Sequence, residues 1–326
     1  MRYRLAPYIV FFLAVLALAP WIGPETVSPT AVSAWLTGSG DPAGHIFFSL
    51  RIPRVLLGLV AGGTLAVSGA ALQVLFRNPL VEPYTLGITG GASLGAFLTI
   101  AFPVLAVGWG PLDATQLFAL SGAGVTLWLV YRMAAGRSGM ALQTLLLAGV
   151  SVSVVCMGAI VLLTYLTSPH KLMVFQRWVM GGLGTVGFAD LASMAPVLLP
   201  ALGTVLLHGR DLTHLALGDE LALGHGVDVG AVQRRVFLGA GLATAAVVGA
   251  AGPIAFVGLI IPHAVRRLTG VDQRVVLPAS FLLGGGVLAL CDCIARTLLA
   301  PSELPVGIIT SVAGGPLFIY LLLRNR

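Results

Sequence analysis

The chain has 326 residues, of which 57% are hydrophobic and 9% charged, against about 25% charged in an ordinary soluble domain, so most of it is built for lipid rather than water. The formal net charge of +6 does not point to nucleic acid, because the arginines are strung between apolar runs instead of forming one basic face. The sole lysine is Lys171 and no G-x-x-x-x-G-K-[ST] run occurs, so no P-loop is present and any ATP hydrolysis that drives this chain belongs to another polypeptide.

The first twenty residues, "MRYRLAPYIVFFLAVLALAP", start basic and turn apolar. Pro20 after Ala17-Leu18-Ala19 is a poor cleavage context, so a first membrane anchor is predicted rather than a removable signal. Apolar helices are predicted over 5–22, 55–76, 84–106, 113–131, 140–166, 191–208, 234–251, 255–268, 275–298 and 306–323. Most hold the ~20 residues that a spanning helix needs. The eighth holds about 14 residues, roughly 21 Å of helix, and must be tilted, broken or buried by neighbours. The expected fold class is therefore an all-α integral membrane protein of about ten transmembrane helices, a single polytopic transmembrane domain over 1–326, with both termini on one side.

The Lys/Arg bias orients it. With both termini in the cytoplasm, only Arg51, Arg54, Lys171, Arg177 and Arg296 fall on the outer side, and the rest of the 18 basic residues, Arg137 and Arg326 among them, fall on the inner side. Arg51 and Arg54, in "RIPR", run against that trend. The outer connections are 23–53, rich in proline, 167–190, with an amphipathic and Gly-flanked middle that suits a short interfacial helix, and 299–305, "LAPSELP". The largest inner loop, 209–233, contains Leu-Ala-Leu-Gly218, then Asp219-Glu220, then Leu-Ala-Leu-Gly224, which reads as two short helical turns with acidic tips. It is either a docking element or an ordinary solvated loop.

A weak internal symmetry relates helices 2–5 to helices 7–10. Arg54-Val-Leu-Leu-Gly58 matches Arg235-Val-Phe-Leu-Gly239, and "AVSGAA" (66–71) matches "VVGAAG" (247–252). The copies enter the membrane from opposite sides, a frequent transporter design. The 42 glycines, many inside apolar runs, suit close helix packing in lipid.

The deepest acidic residue is Asp292. It lies four residues before Arg296, so it is either half of an i,i+4 pair or a substrate or proton group. No chain of intramembrane Asp, Glu or His accompanies it, which argues against a proton-coupled carrier. Cys156, Cys291 and Cys293 lie in apolar runs and read as small buried residues, and the six histidines show no close metal-ligand spacing. No resident metal and no catalytic constellation is expected, because the candidate groups fall on opposite membrane sides.

Long stretches of the chain resemble the permeases of bacterial ATP-binding-cassette importers for iron chelates (siderophores, haem) and cobalamin. They are "RIPRVLLGLVAGGTLAVSGAALQVLFRNPLVEPYTLGITGGASLGA" (51–96), "LLLAGV" (145–150), "QRWVMGGLG" (176–184), "LALGDELALGHGV" (215–227), "GPIAFVGLIIPHAVRRLTGVDQRVVLPAS" (252–280) and "DCIAR…ELPVGIITSVAGGPLFIYLLL" (292–323). The resemblance implies a transport subunit, not an enzyme, with no cofactor of its own, ATP and Mg being held by the partner ATPase. It implies a second copy of the chain as homodimer partner, two ATPase subunits on the cytoplasmic side and a soluble substrate-binding protein on the other. The location implied is the bacterial inner membrane.

Residue by residue, the resemblance places binding-protein docking on Arg51, Arg54 and Arg296, where arginines would hold partner glutamates. It places a cytoplasmic gate at Asn78-Pro79-Leu80 and a second one at Ala141-Leu142, where cobalamin-type members carry small hydroxyl residues. ATPase coupling would fall on Leu215, Leu217, Gly218, Asp219, Glu220, Leu223 and Gly224. The implied cargo is an iron chelate, with cobalamin as the alternative and an ion-coupled secondary carrier as the remote one.

Overall fold

The computed structural model describes residues 2–38, 41–105, 108, 113–136, 139–184 and 187–324; Arg137 and Arg326 lie outside the described residues. In chain order the helices are α1 (Arg2–Leu18), α2 (Pro29–Leu36), α3 (Pro42–His45), α4 (Ile52–Leu75), α5 (Ile88–Ala101), α6 (Ala114–Ala134), α7 (Leu142–Thr164), α8 (Pro169–Val179), α9 (Phe188–Leu207), α10 (Gly209–Leu215), α11 (Asp219–Gly224), α12 (Val229–Ala251), α13 (Val257–Thr269), α14 (Gln273–Thr297) and α15 (Val306–Arg324). A π-helical stretch, Ile46–Arg51, joins α3 to α4, so that Pro42–Leu75 runs as one helical element. Among the described residues the regular structure is helical but for a two-residue antiparallel ladder, Ala135–Gly136 with Gly139–Met140, between α6 and α7.

Each predicted apolar segment contains a helix, and among the described residues seven elements are long and apolar enough to cross a membrane. The second segment, expected over 55–76, begins 13 residues earlier as the element Pro42–Leu75, and the third is shortened, with 23 residues expected in one helix and 14 found in α5. Pro83 opens a single 3₁₀ turn, and Gly87 follows at φ +78°, a left-handed conformation that ends the turn and restarts the chain as α5. The eighth segment is short for a similar reason. Gly252 and Phe256 both have positive φ, so the chain breaks after α12 before α13 begins. The two broken stretches are tied together by the Tyr84 hydroxyl, which accepts from the Ile254 amide and donates to the Ile254 carbonyl. The amide and carbonyl of Ile254, in the second break, are thus satisfied by a side chain from the first, inside protein as a lipid surrounding demands.

Acidic N-caps start several helices. Asp113 accepts from the Gln116 amide at 2.7 Å and Asp228 from the Ala231 amide at 3.0 Å. The Asp228 cap starts α12 five residues earlier than the predicted 234 and shortens the inner loop accordingly.

At the centre, α4 packs against α14, α12, α13 and α9. Its apolar window is 89% buried in protein, whereas that of α7 is 28% buried. Small residues allow this. A Cβ on Gly62 would sit 2.3 Å from the Gly284 carbonyl oxygen, so the two backbones meet with no side chain between them. At 1.5 Å per residue the 24 residues of α4 carry the chain about 36 Å from Arg54 at one end to Arg77 and Asn78 beyond the other.

Candidate functional site

Two clusters lie at the opposite ends of α4. At the first, Arg51, Arg54 and Arg296 gather around one cavity of about 510 Å³, together with Glu25 and Glu303. The π-helical stretch ends on Arg51, where the Ile52 amide bonds the Phe47 carbonyl, and Pro53, which has no N–H to continue the ladder, follows at the start of α4. That join fixes where Arg51 and Arg54 leave the helix.

The cluster is charge-dense and mostly internal. Arg54 grips Asp292 in a fork, Nε to Oδ2 at 2.9 Å and Nη2 to Oδ1 at 2.9 Å, and reaches Glu303 Oε2 through Nη1 at 2.7 Å. Arg296 donates to the Ala19 carbonyl at 2.8 Å, and its Nε stands 3.8 Å from Asp292 Oδ2 without a hydrogen-bond acceptor. Arg51 donates to the Pro20 carbonyl at 3.2 Å and to the Glu25 carbonyl. All three arginines and Asp292 are buried, while Glu25 and Glu303 are exposed.

Asp292 therefore is paired, but with Arg54 as its main partner rather than with Arg296 alone. Four residues of helical spacing bring Arg296 near but leave it too far to hydrogen-bond. Arg54, on α4, meets the carboxylate face to face in the bidentate geometry that guanidinium and carboxylate share. The signal available in the sequence was the cost of a carboxylate deep in an apolar run, which demands a cation. It could not say which one, because the answer is 238 residues away.

At the other end, Asn78 Oδ1 accepts from the Leu80 amide at 2.9 Å and closes Asn78-Pro79-Leu80 into a tight turn with Pro79 and Leu80 exposed. The preceding residue, Arg77, has φ +46° and makes an ion pair of 2.5 Å with Asp219, the first residue of α11. The turn and the acidic loop are thus joined directly, a contact that sequence spacing did not suggest.

Within that loop, α10 and α11 form the two short helices expected. Leu215 is buried beneath them, and Leu217, Leu221 and Leu223 are exposed beside Asp219 and Glu220. Gly218 turns the chain between them at φ +129°. Ala141 caps the start of α7 and is exposed; Leu142 packs against the core. Among the described residues no hydrogen bond joins this pair to the Asn78 turn.

Glu82, four residues beyond Asn78, bonds the Phe256 amide at the start of α13, and its Oε2 has no partner. Burial pushes its carboxyl up to about 7, an effect the Phe256 amide only partly opposes. Among the described residues no group of three His, Cys, Asp or Glu is arranged to hold a metal ion.

Residues 9–324 match the model of the FecCD transport family. The hemin transport system permease protein HmuU of Yersinia pestis is 37% identical over 330 aligned residues, spanning 100% of this chain and 98% of that protein. The cobalamin import system permease protein BtuC of Halobacterium salinarum is 38% identical over 89% of this chain and 76% of its own length. The vitamin B12 import system permease protein BtuC of Escherichia coli O9:H4 is 36% identical over 97% of this chain and 94% of its length. A solved structure described as an inward-facing conformation of a metal-chelate type ABC transporter superposes with a TM-score of 0.86 at 29% identity, covering 99% of this chain and all of that one.

Proposed function

The chain belongs to the FecCD transport family, as an ABC importer permease and so a transport component rather than an enzyme, and from that premise we propose that it moves an iron chelate, siderophore or haem, across the bacterial inner membrane. Its multi-pass character follows from the long apolar helices and from its bacterial permease relatives. In our reading α1, α4, α5, α6, α7, α9, α12, α13, α14 and α15 make ten crossings, with helices 2–5 and 7–10 as inverted halves. The short, broken segments before α5 and α13, in corresponding positions of the two halves, support that symmetry. Both termini then lie in the cytoplasm, and the Arg54 cavity faces outward.

Transport in this reading uses two copies of the chain, with the path between them, two ATPase subunits below and a soluble binding protein above. The binding protein docks on Arg51, Arg54 and Arg296, whose excess of buried positive charge favours partner carboxylates. The ATPase engages Leu215, Leu217, Gly218, Asp219, Glu220, Leu223 and Gly224. The leucines exposed on α11 and just before it support this role, since water is a poor neighbour for such a patch. Asn78-Pro79-Leu80 and Ala141-Leu142 form the cytoplasmic gates, and Arg77–Asp219 links the first gate to the ATPase contact.

The observation that carries the iron-chelate reading is the end-to-end match to a haem permease. Cobalamin is the second reading, favoured by the BtuC relatives of nearly equal identity. The test is uptake into proteoliposomes holding the permease, its ATPase and its binding protein, with haem, a ferric siderophore and cobalamin offered in turn. ATP-dependent accumulation of an iron chelate is the expected result. Accumulation of cobalamin alone selects the second reading, and uptake driven by an ion gradient without ATP overturns the importer reading.

A further inference from the structure

The two carboxylates on Arg54 are unlike each other. Asp292 is held within α14 with its side chain 2% exposed, and takes the Nε and Nη2 edge of the guanidinium. Glu303 takes Nη1 at 2.7 Å from the connection between α14 and α15, with its side chain 39% exposed. Within that connection, residues 298–305, Glu303 lies between Pro301 and Pro305 and lines the same cavity as Arg51 and Arg296.

Charge around the cavity is unbalanced in depth. Its buried wall holds three guanidiniums against one carboxylate, Asp292. Arg51 is satisfied by neutral carbonyls, and Arg296 Nε has no acceptor. The remaining negative charge sits on exposed side chains, and among them Glu303 alone makes an ion pair with a wall arginine among the described residues. Of this pair only the Glu303 end lies in water, its side chain 39% exposed against 11% for Arg54, so water and salt compete for the carboxylate and make it the weaker of the two holds on Arg54. It is also in the position that any incoming carboxylate needs, since the other edge of Arg54 is occupied by Asp292.

We propose that Glu303 is a resident carboxylate that holds the outward edge of Arg54 in the unoccupied permease and is displaced when the binding protein presents a carboxylate of its own. This rests on the docking reading above and adds its regulation. Exchange keeps the number of ion pairs on Arg54 constant. A partner bearing a carboxylate at the right place replaces what it removes. A neutral surface pressed on the cavity would expel Glu303 and leave a guanidinium without its second counter-ion, so the arrangement rejects it. Asp292 takes no part in the exchange and keeps Arg54 aimed throughout.

The experiment measures binding of the importer's soluble binding protein to the permease–ATPase complex in nanodiscs. Glu303→Gln is expected to tighten binding about two- to fivefold, the span that loss of a competing exposed pair allows. Glu25→Gln serves as control for the general field, because Glu25 lines the same cavity without a side-chain bond to an arginine. The Glu303 gain should exceed the Glu25 gain and persist in high salt, where long-range attraction is screened. Equal gains that vanish together in salt, no gain, or weaker binding by Glu303→Gln each overturn the inference while leaving docking intact. Arg51→Gln tests docking itself in the same assay. If that variant binds as wild type, the docking reading fails and the exchange fails with it.

Discussion

Replacing Asp292 by asparagine tests the charge ledger of the Arg54 cavity most directly. The carboxylate is 2% exposed and is shared by Arg54 at 2.9 Å and Arg296 at 3.8 Å. At an effective dielectric of about 20, an Arg–Asp pair near 3 Å attracts by roughly 6 kcal/mol before desolvation is subtracted. Removing one member of a buried pair costs about 3–5 kcal/mol, because the cation left behind is out of water. Here two guanidiniums are left, and they repel. The midpoint of thermal unfolding in detergent should fall by about 6 °C or more, at roughly 2 °C per kcal/mol. Cys156 and Cys293 are buried, so a thiol-reactive fluorophore reports that transition.

Two further variants make the arithmetic internally checked. Glu303→Gln breaks a pair whose carboxylate is 39% exposed and should cost under about 1 kcal/mol. Arg54→Gln combined with Asp292→Asn should recover much of the single-variant loss, because the unpaired charge goes with its partner. An Asp292→Asn variant that unfolds with the wild type, or a double variant no better than the single one, refutes the reasoning.

Other expectations concern the rest of α4 and the far end. Exchanging Arg77→Asp with Asp219→Arg should restore the transport-coupled ATPase activity that either single change lowers; both side chains are about half exposed, so thermal stability should barely move in any of the three. Leu217→Ser with Leu223→Ser should weaken ATPase co-purification about tenfold without altering the unfolding midpoint of the permease, since both leucines are exposed. Gly62→Leu should abolish the folded, monodisperse protein on size exclusion, because even a Cβ there would lie 2.3 Å from the Gly284 carbonyl.

Glu82 titrates at about 7 in place of its ordinary 4.5, and that raised value gives a sign for pH. Burial favours the neutral acid, so folding is most stable with respect to this group below the unfolded value and loses stability as pH climbs between them. The loss is roughly 3 kcal/mol at most. Unfolding midpoints measured from pH 4.5 to 7.5 should decline in the wild type and flatten in Glu82→Gln.

Much of the architecture was legible because lipid leaves few choices. A run of apolar residues the length of a bilayer has to satisfy its backbone internally, so helices appear wherever such runs occur. The third segment was misjudged in length because hydropathy is blind to backbone sign. Pro83 and Gly87 interrupt the helix without adding a charge. The two short helices of the inner loop followed from Gly218 and Gly224 and the acidic starts beside them, whereas the Arg77–Asp219 link joins residues 142 apart and has no local trace. The arginines were conspicuous because the Lys/Arg bias assigns them to the side where basic residues are scarce. Their mutual nearness came only from the resemblance, and their internal counter-ions came only from the fold. Spacing along one helix offered Asp292 the nearer Arg296, and geometry across two helices gave it Arg54.

The burial of α4 has a consequence for how the molecule is made. The helix that is most enclosed by protein in the finished fold is enclosed by nothing when it first leaves the ribosome. Its neighbours α12, α13 and α14 are still untranslated, so its apolar sequence is needed for entry into the bilayer rather than for life there. Arg54 travels with it, and its buried counter-ion arrives 238 residues later. Until then the guanidinium has only headgroups and water, which fixes that end of the young helix at the membrane surface. The same arginine that later pairs with Asp292 is, during synthesis, the stop that keeps the helix from sliding through.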